Sequence, residues 1–179
     1  MGETFLRTPR LAFRHWAAAD FPLAWSLWGD PKVTRLIGGP FAAADVRARL
    51  YREIAQERET GVQYWPIFLL DGEEFAGCCG LRPYTGARPV YELGFHLRPD
   101  AWGQGLATEA ARRVIEHAFG NLGASAIFAG HHPENTASPK VLARLGFRYE
   151  RHEYFAPTGL EHPSYLLRAT DFLRREAEE

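Results

Sequence analysis

The stretch that most constrains the fold is VYELGFHLRPDAWGQGLATEAARRVIEHAF, which begins at Val90. It joins an alternating strand to a glycine turn and then to an amphipathic helix. Successive side chains of a strand point to opposite faces, so Glu92, Gly94 and His96 share one face while Tyr91, Leu93, Phe95 and Leu97 share the other. The apolar face belongs to a core. The other face offers two ionisable groups with a glycine between them, which leaves room for a ligand to approach the backbone. After Arg98-Pro99-Asp100, the run Trp102-Gly103-Gln104-Gly105-Leu106-Ala107-Thr108 leads into a helix predicted from about Gln104 to Phe119. Ala107, Ala110, Ala111, Val114, Ile115 and Ala118 recur along one side of it, and small residues let a helix lie close on a sheet. Glycines ahead of a helix free its first N–H groups to face an anion, and the helix dipole favours negative charge there. A pyrophosphate meets that requirement.

A glycine turn by itself does not single out one chemistry. A dinucleotide fingerprint needs Gly or Ala three positions after Gly105, where Thr108 stands, and a phosphate-binding NTPase loop needs Gly-Lys-Ser/Thr, which is absent. A plain tight turn through Gly103 and Gly105 stays open as the alternative.

Around this segment the chain reads as one domain, residues 1–179, of ordinary globular composition. FLRTPRLAFRHW reads as a single half-buried strand, with Leu11 and Phe13 inward and Arg10 and Arg14 outward. Asp20 is placed to cap a helix carrying Phe21, Ala24, Trp25 and Trp28, which Gly29-Asp30-Pro31 ends. The turn Gly38-Gly39-Pro40 precedes a helix with Val46, Leu50 and Ile54 on one face. YWPIFLL and EFAGCCGL form a hairpin through a two-residue Asp71-Gly72 turn, and Pro66 places its strand near an edge or a bulge. Thr85–Pro89 is a further turn. Beyond the central helix come a strand SAIFAG, a shorter helix from Asn135 to Gly146, and strands near 147–155 and 164–168. RREAEE at the end reads as a solvated tail. Antiparallel strands followed by a strand–helix–strand unit make an α/β (α+β) mixed sheet.

The formal net charge of −1 offers no electrostatic footprint for nucleic acid or an anionic membrane. The apolar run Tyr64–Leu70 is too short to span a bilayer. No secretory leader is visible, and two adjacent cysteines, Cys78 and Cys79, make neither a disulfide framework nor a zinc spacing. A reduced, cytoplasmic setting is the expectation. His131 and His132 lack a third ligand at suitable spacing, so no metal is expected. The tryptophans at 16, 25, 28 and 65 are expected in the core or a pocket wall.

From Tyr91 onward the chain resembles the GNAT acetyltransferases. Trp102 to Ala107 is similar to that family's acyl-CoA pyrophosphate loop, matching at Gly105 and Ala107 and departing at Trp102. WGQGLATEAAR and HPENTASPKVLARLGFRYE are similar to the branch that contains the ribosomal-protein N-terminal acetyltransferases RimJ and RimL. The weaker TPRLAFR and GDPKVTRLIGGPF carry the likeness over nearly the whole chain. The resemblance implies a mixed, mostly antiparallel central sheet flanked by helices, with acetyl-CoA as cosubstrate. Its pyrophosphate would lie against Gly103, Gln104, Gly105, Leu106, Ala107 and Thr108, with Trp102 covering it. Asn135 and Ser138 would face the pantetheine arm and the sulfur, and backbone N–H groups from Phe95 through His96 to Leu97 would receive the oxyanion. The tyrosine that many members use to protonate the thiolate is replaced by Leu142, which leaves Ser138, a water or no group at all for that task.

The implied reaction is direct attack of a primary amine on the thioester in a ternary complex. An amine must first lose its proton, from a pKa of about 8 to 10.4. Glu92 is the first candidate for the base and His96 the rival, while a salt-bridged or solvated glutamate and a space-filling histidine are the plainer readings. The acceptor is either a protein N-terminus or a small-molecule amine. A non-catalytic acyl-CoA sensor is the alternative function, and a homodimer is open. Gly38–Phe41 and Tyr84–Arg88 are expected to border the acceptor site.

Overall fold

A computed structural model describes residues 3–84 and 89–178. Their strands form one eight-stranded sheet, in the spatial order β1-β2-β3-β4-β5-β6-β8-β7. The strands are β1 (Leu6–Arg7), β2 (Leu11–Phe13), β3 (Tyr64–Leu69), β4 (Phe75–Tyr84), β5 (Val90–Leu97), β6 (Ala126–Gly130), β7 (Arg148–Phe155) and β8 (Leu160–Arg168). The helices are α1 (Phe21–Trp28), α2 (Pro31–Thr34), α3 (Ala43–Thr60), α4 (Leu106–Gly120), α5 (Ser138–Arg144) and α6 (Ala169–Glu178). Every strand pair is antiparallel except β5–β6, which α4 joins by a parallel crossover. No described helix is long and apolar enough to cross a membrane.

The sheet is buried on both faces. Leu93, Leu97 and Cys79 pack with the α4 stripe of Ala110, Ala111, Val114 and Ile115. On the opposite face Tyr64 and Cys78 pack with Trp16, Trp28, Val46 and Leu50 from the first helices. Cys78 and Cys79 thus point to opposite cores, buried and unbridged. Trp25, by contrast, is exposed.

Several local expectations give way to tertiary structure. The N-terminal segment is two short strands rather than one, because Thr8 turns the chain and its Oγ accepts from Leu11 N at 2.8 Å. Asp20 precedes α1, but its carboxylate accepts from Ala17 N at 2.8 Å and so caps the turn before that helix. The β3–β4 connection is longer than two residues: Leu69 N donates to Glu74 O at 2.8 Å, and positive φ falls on Gly72 and Glu73. The expectation for Pro66 holds: it lies beside a bulge at Ile67/Phe68, on an interior strand and one step past the last β2 pair. Asn135 precedes α5 rather than opening it. The RREAEE segment is mostly helical, because α6 buries Phe172 and ties Arg112 to Glu176 at 2.5 Å. All of the Thr85–Pro89 turn but Pro89, and all of Tyr84–Arg88 but Tyr84, lies outside the described residues.

Candidate active site

The site follows from a parting of strands. β5 pairs with β6 only from Val90↔Ala126 to Glu92↔Phe128, and beyond Glu92 the two diverge. Along β4 the β5 register stays unbroken from Gly77↔Leu97 to Tyr84↔Val90. The alternation expected for β5 therefore holds. Arg98 N donates to Ala76 O on β4, whereas Leu97 O turns the other way and accepts from Trp102 Nε1 at 2.8 Å. Backbone direction alternates along a strand, so the amides of Leu97 and Phe95 face the opening and that of His96 faces β4.

Two cavities meet at this opening, with Phe95, His96, Asn135 and Ser138 in the walls of both. The larger, about 770 Å³, runs past Trp102, Gly103 and Gly105 to Thr108. Gly105 is the N-cap of α4 with φ +76°, and no side chain caps the helix. Gly103 has φ +73° and open space where a Cβ would stand. The first N–H groups of α4 are thus left to an anion. Lys32, Arg35, Lys140 and Arg144 also line this cavity, and its two lysines are the only ones in the chain. Glycine loop, bare helix end and cationic wall fit a pyrophosphate-bearing cosubstrate. Sequence reading missed the cationic wall, although the placement of both lysines beside the two recognised motifs was a usable signal.

The loop is clamped from outside. Glu109 in the first turn of α4 accepts from Arg10 Nε at 2.6 Å and Thr8 Oγ1 at 2.5 Å, and Arg10 Nη1 reaches Gln104 O at 3.0 Å. Burial pushes the Glu109 carboxyl up, but the hydrogen bonds from Thr8 and Arg10 outweigh it and hold its pKa below the ordinary value. At the junction Asn135 Oδ1 accepts from Ser138 N at 3.0 Å, and its Nδ2 donates to Ser138 Oγ at 2.9 Å. That leaves the Ser138 O–H proton free to be donated. Leu142 is buried below.

The smaller cavity, about 390 Å³, holds Glu92, Gly94 and His96 against α3 and the β7–β8 hairpin, and Ile37 and Phe41 border it. No described group hydrogen-bonds to the Glu92 carboxylate. Its neighbour across the strands, Arg82, turns instead to Glu53 of α3 at 2.5 Å. Burial raises the Glu92 pKa; Arg82 and Arg49 pull it down, Glu153 pushes it up, and the net result is above the ordinary carboxylate value. His96 is held differently: burial first, then Arg49 and Arg82, push its pKa well below the usual value. Gly94 does not leave space for a ligand. The Tyr64 ring fills it, with its carbon Cζ 2.2 Å from where a Cβ would stand. Arg49 and Glu53 were overlooked in the sequence although both fall on the Val46–Leu50 face of α3, where charged residues are out of place. His131 and His132 also line this cavity; among the described residues they join no cluster able to hold a metal ion.

A family model described as the acetyltransferase (GNAT) domain matches residues 10–148. An uncharacterised N-acetyltransferase, p20 of Bacillus licheniformis, is 30% identical over 81% of this chain and 83% of its own length. An acetyltransferase from Agrobacterium tumefaciens is similar in structure with a TM-score of 0.79, at 27% identity over 93% of this chain and 95% of that one. RimL, a ribosomal L7/L12 α-N-protein acetyltransferase solved with coenzyme A, shares the fold with a TM-score of 0.80 at 17% identity, over 95% and 99% of the two chains. The chain belongs to the GNAT acetyltransferase family, whose members are acetyl-CoA-dependent enzymes.

Proposed function

We propose that this chain, as one catalytic domain, transfers an acetyl group from acetyl-CoA to a primary amine, with Glu92 as the base. The observation that carries the reading is the Glu92 carboxylate. It is half-buried, without a hydrogen-bond partner among the described residues, and raised in pKa, in a cavity that shares Asn135 and Ser138 with the one at the α4 N-terminus. A base of raised pKa accepts a proton from an amine more readily than an ordinary carboxylate.

Acetyl-CoA supplies an activated thioester carbonyl. The amine nitrogen bonds to that carbon as its proton passes to Glu92, directly or through a water. Developing negative charge on the carbonyl oxygen is met by the N–H groups of Phe95 and Leu97 on the open edge of β5. The carbon–sulfur bond then breaks, and the thiolate takes a proton from Ser138 Oγ, which Asn135 orients and which a water reprotonates in the same step. His96 serves as a wall of the site. A cytoplasmic setting suits a cosubstrate of this kind.

The acceptor is a small amine or a protein N-terminus, as for RimL. Thiol release from acetyl-CoA, measured between pH 7 and 9, separates the two when short peptides with free Ala, Ser or Met N-termini run beside a panel of small amines. Transfer to either class, lost in Glu92→Gln, is the expected result. Thiol release that persists in that variant at wild-type rate would remove Glu92 from the reaction.

A further inference from the structure

The amine cavity contains a guanidinium that forms no hydrogen bond or ion pair among the described residues. Arg49 of α3 lines the same cavity as Glu92, and its Nε is buried with no hydrogen-bond partner. The guanidinium carbon lies 4.4 Å over the Trp28 ring, which satisfies a face of the group and none of its in-plane donors. The expected partner is Glu53, one helical turn on. Both of its oxygens are taken elsewhere, Oε1 by Arg82 at 2.5 Å and Oε2 by Tyr64 N at 2.9 Å. Arg52, three residues after Arg49 and so on an adjacent part of the helix face, also lines the cavity and forms no ion pair among the described residues. A buried unpaired charge is costly unless something neutralises it. Burial and the nearby Arg82 accordingly lower the Arg49 pKa.

A cavity whose Glu92 carboxylate and Arg49 guanidinium form no hydrogen bond or ion pair among the described residues matches a ligand that carries both opposite charges. Resting on the proposed role of Glu92, we infer that the acceptor is a small amino-carboxylate, its amine directed to Glu92 and its carboxylate held by Arg49 and Arg52. A phosphate fits less well, because Glu92 and Glu153 in the same walls repel a dianion more strongly than a single negative charge. A volume of about 390 Å³ suits a small molecule.

The experiment compares α-amino acids, β-alanine and γ-aminobutyrate, each against its own carboxamide, in acetyl transfer at saturating acetyl-CoA. Expected is a kcat/KM at least tenfold higher for the carboxylate member of the preferred pair. In Arg49→Gln that preference should collapse toward unity, and Arg49→Lys should restore part of it. Retention of the thermal shift with acetyl-CoA shows that each variant is folded. Equal use of carboxylate and carboxamide, or a preference that survives Arg49→Gln, overturns the inference while leaving acetyl transfer intact. Transfer confined to peptide N-termini overturns it likewise. Silence on every amine overturns the transfer reading itself, and this inference with it.

Discussion

The indole Nε1 of Trp28 donates to Nδ1 of His96 at 3.2 Å. An indole N–H can only donate, so Nδ1 holds the lone pair and the neutral ring carries its proton on Nε2. The one nitrogen of His96 able to accept a proton is therefore already engaged, in surroundings that resist a positive charge. The acid limb of the kcat/KM profile is expected at the same pH in His96→Gln as in wild type; a limb that vanishes with the histidine would make it the base. The effect on stability has a definite sign. Below about 6.5 the unfolded chain takes up a proton that the folded His96 refuses, so stability falls as pH drops through that value. Denaturant unfolding should show wild type losing more stability than His96→Gln between pH 7.5 and 5.5.

Glu92 carries the opposite linkage. Its folded pKa is raised, so its ionisation opposes folding, and the stability it contributes is lost as pH rises through the folded value. Glu92→Gln is expected to unfold at a temperature equal to or above wild type at pH 8. Its turnover should fall by about 100- to 10,000-fold with acetyl-CoA affinity unchanged. A variant that loses both stability and cosubstrate binding would mark Glu92 as structural.

The β5–α4 segment was legible because its information is local. Alternation in Val90–Leu97, two positive-φ glycines and the small-residue stripe of α4 each declare themselves within a few residues. What escaped reading depends on partners distant in sequence. Glu53 and Arg82 meet across 29 positions, and nothing near either one announces the other. The alternation of Leu11 and Phe13 declared a strand, but its division into β1 and β2 did not show, because it depends on the turn at Thr8 and on pairing with β3. In α6 one buried anchor, Phe172, holds a segment whose other residues are mostly charged, so its polarity reads as a tail.

Gly94 offers a test of such a distant contact. Tyr64 is buried across the strand with its hydroxyl 2.3 Å from the position of a Cβ on residue 94. Its ring also carries Arg82 at 4.2 Å and stands edge-on to His96 at 5.9 Å. Gly94→Ala must displace that ring and the groups resting on it. Overpacking of this kind costs about 1–3 kcal/mol, and thermal unfolding should register it together with a reduced kcat. A variant as stable and active as wild type would show that Tyr64 relocates freely.

Glu109 predicts how the cosubstrate loop is held. Its carboxylate gathers Thr8 and Arg10, and Arg10 in turn holds Gln104 between the two loop glycines. Glu109→Ala releases that clamp without touching the amine cavity, so the KM for acetyl-CoA should rise about 3- to 30-fold while the KM for the amine changes little. These factors correspond to about 0.6–2 kcal/mol, the range for hydrogen bonds to a partly exposed charged group. Because the folded pKa lies below the ordinary carboxylate value, the clamp contributes stability above that value and loses it as pH falls through the folded one. The weakening seen in Glu109→Ala at pH 7.5 should therefore persist in binding measurements at pH 4.5 and shrink only further down, as wild type loses the same charge. A wild-type KM for acetyl-CoA in Glu109→Ala at pH 7.5 would mean that the glycine turn holds its shape unaided.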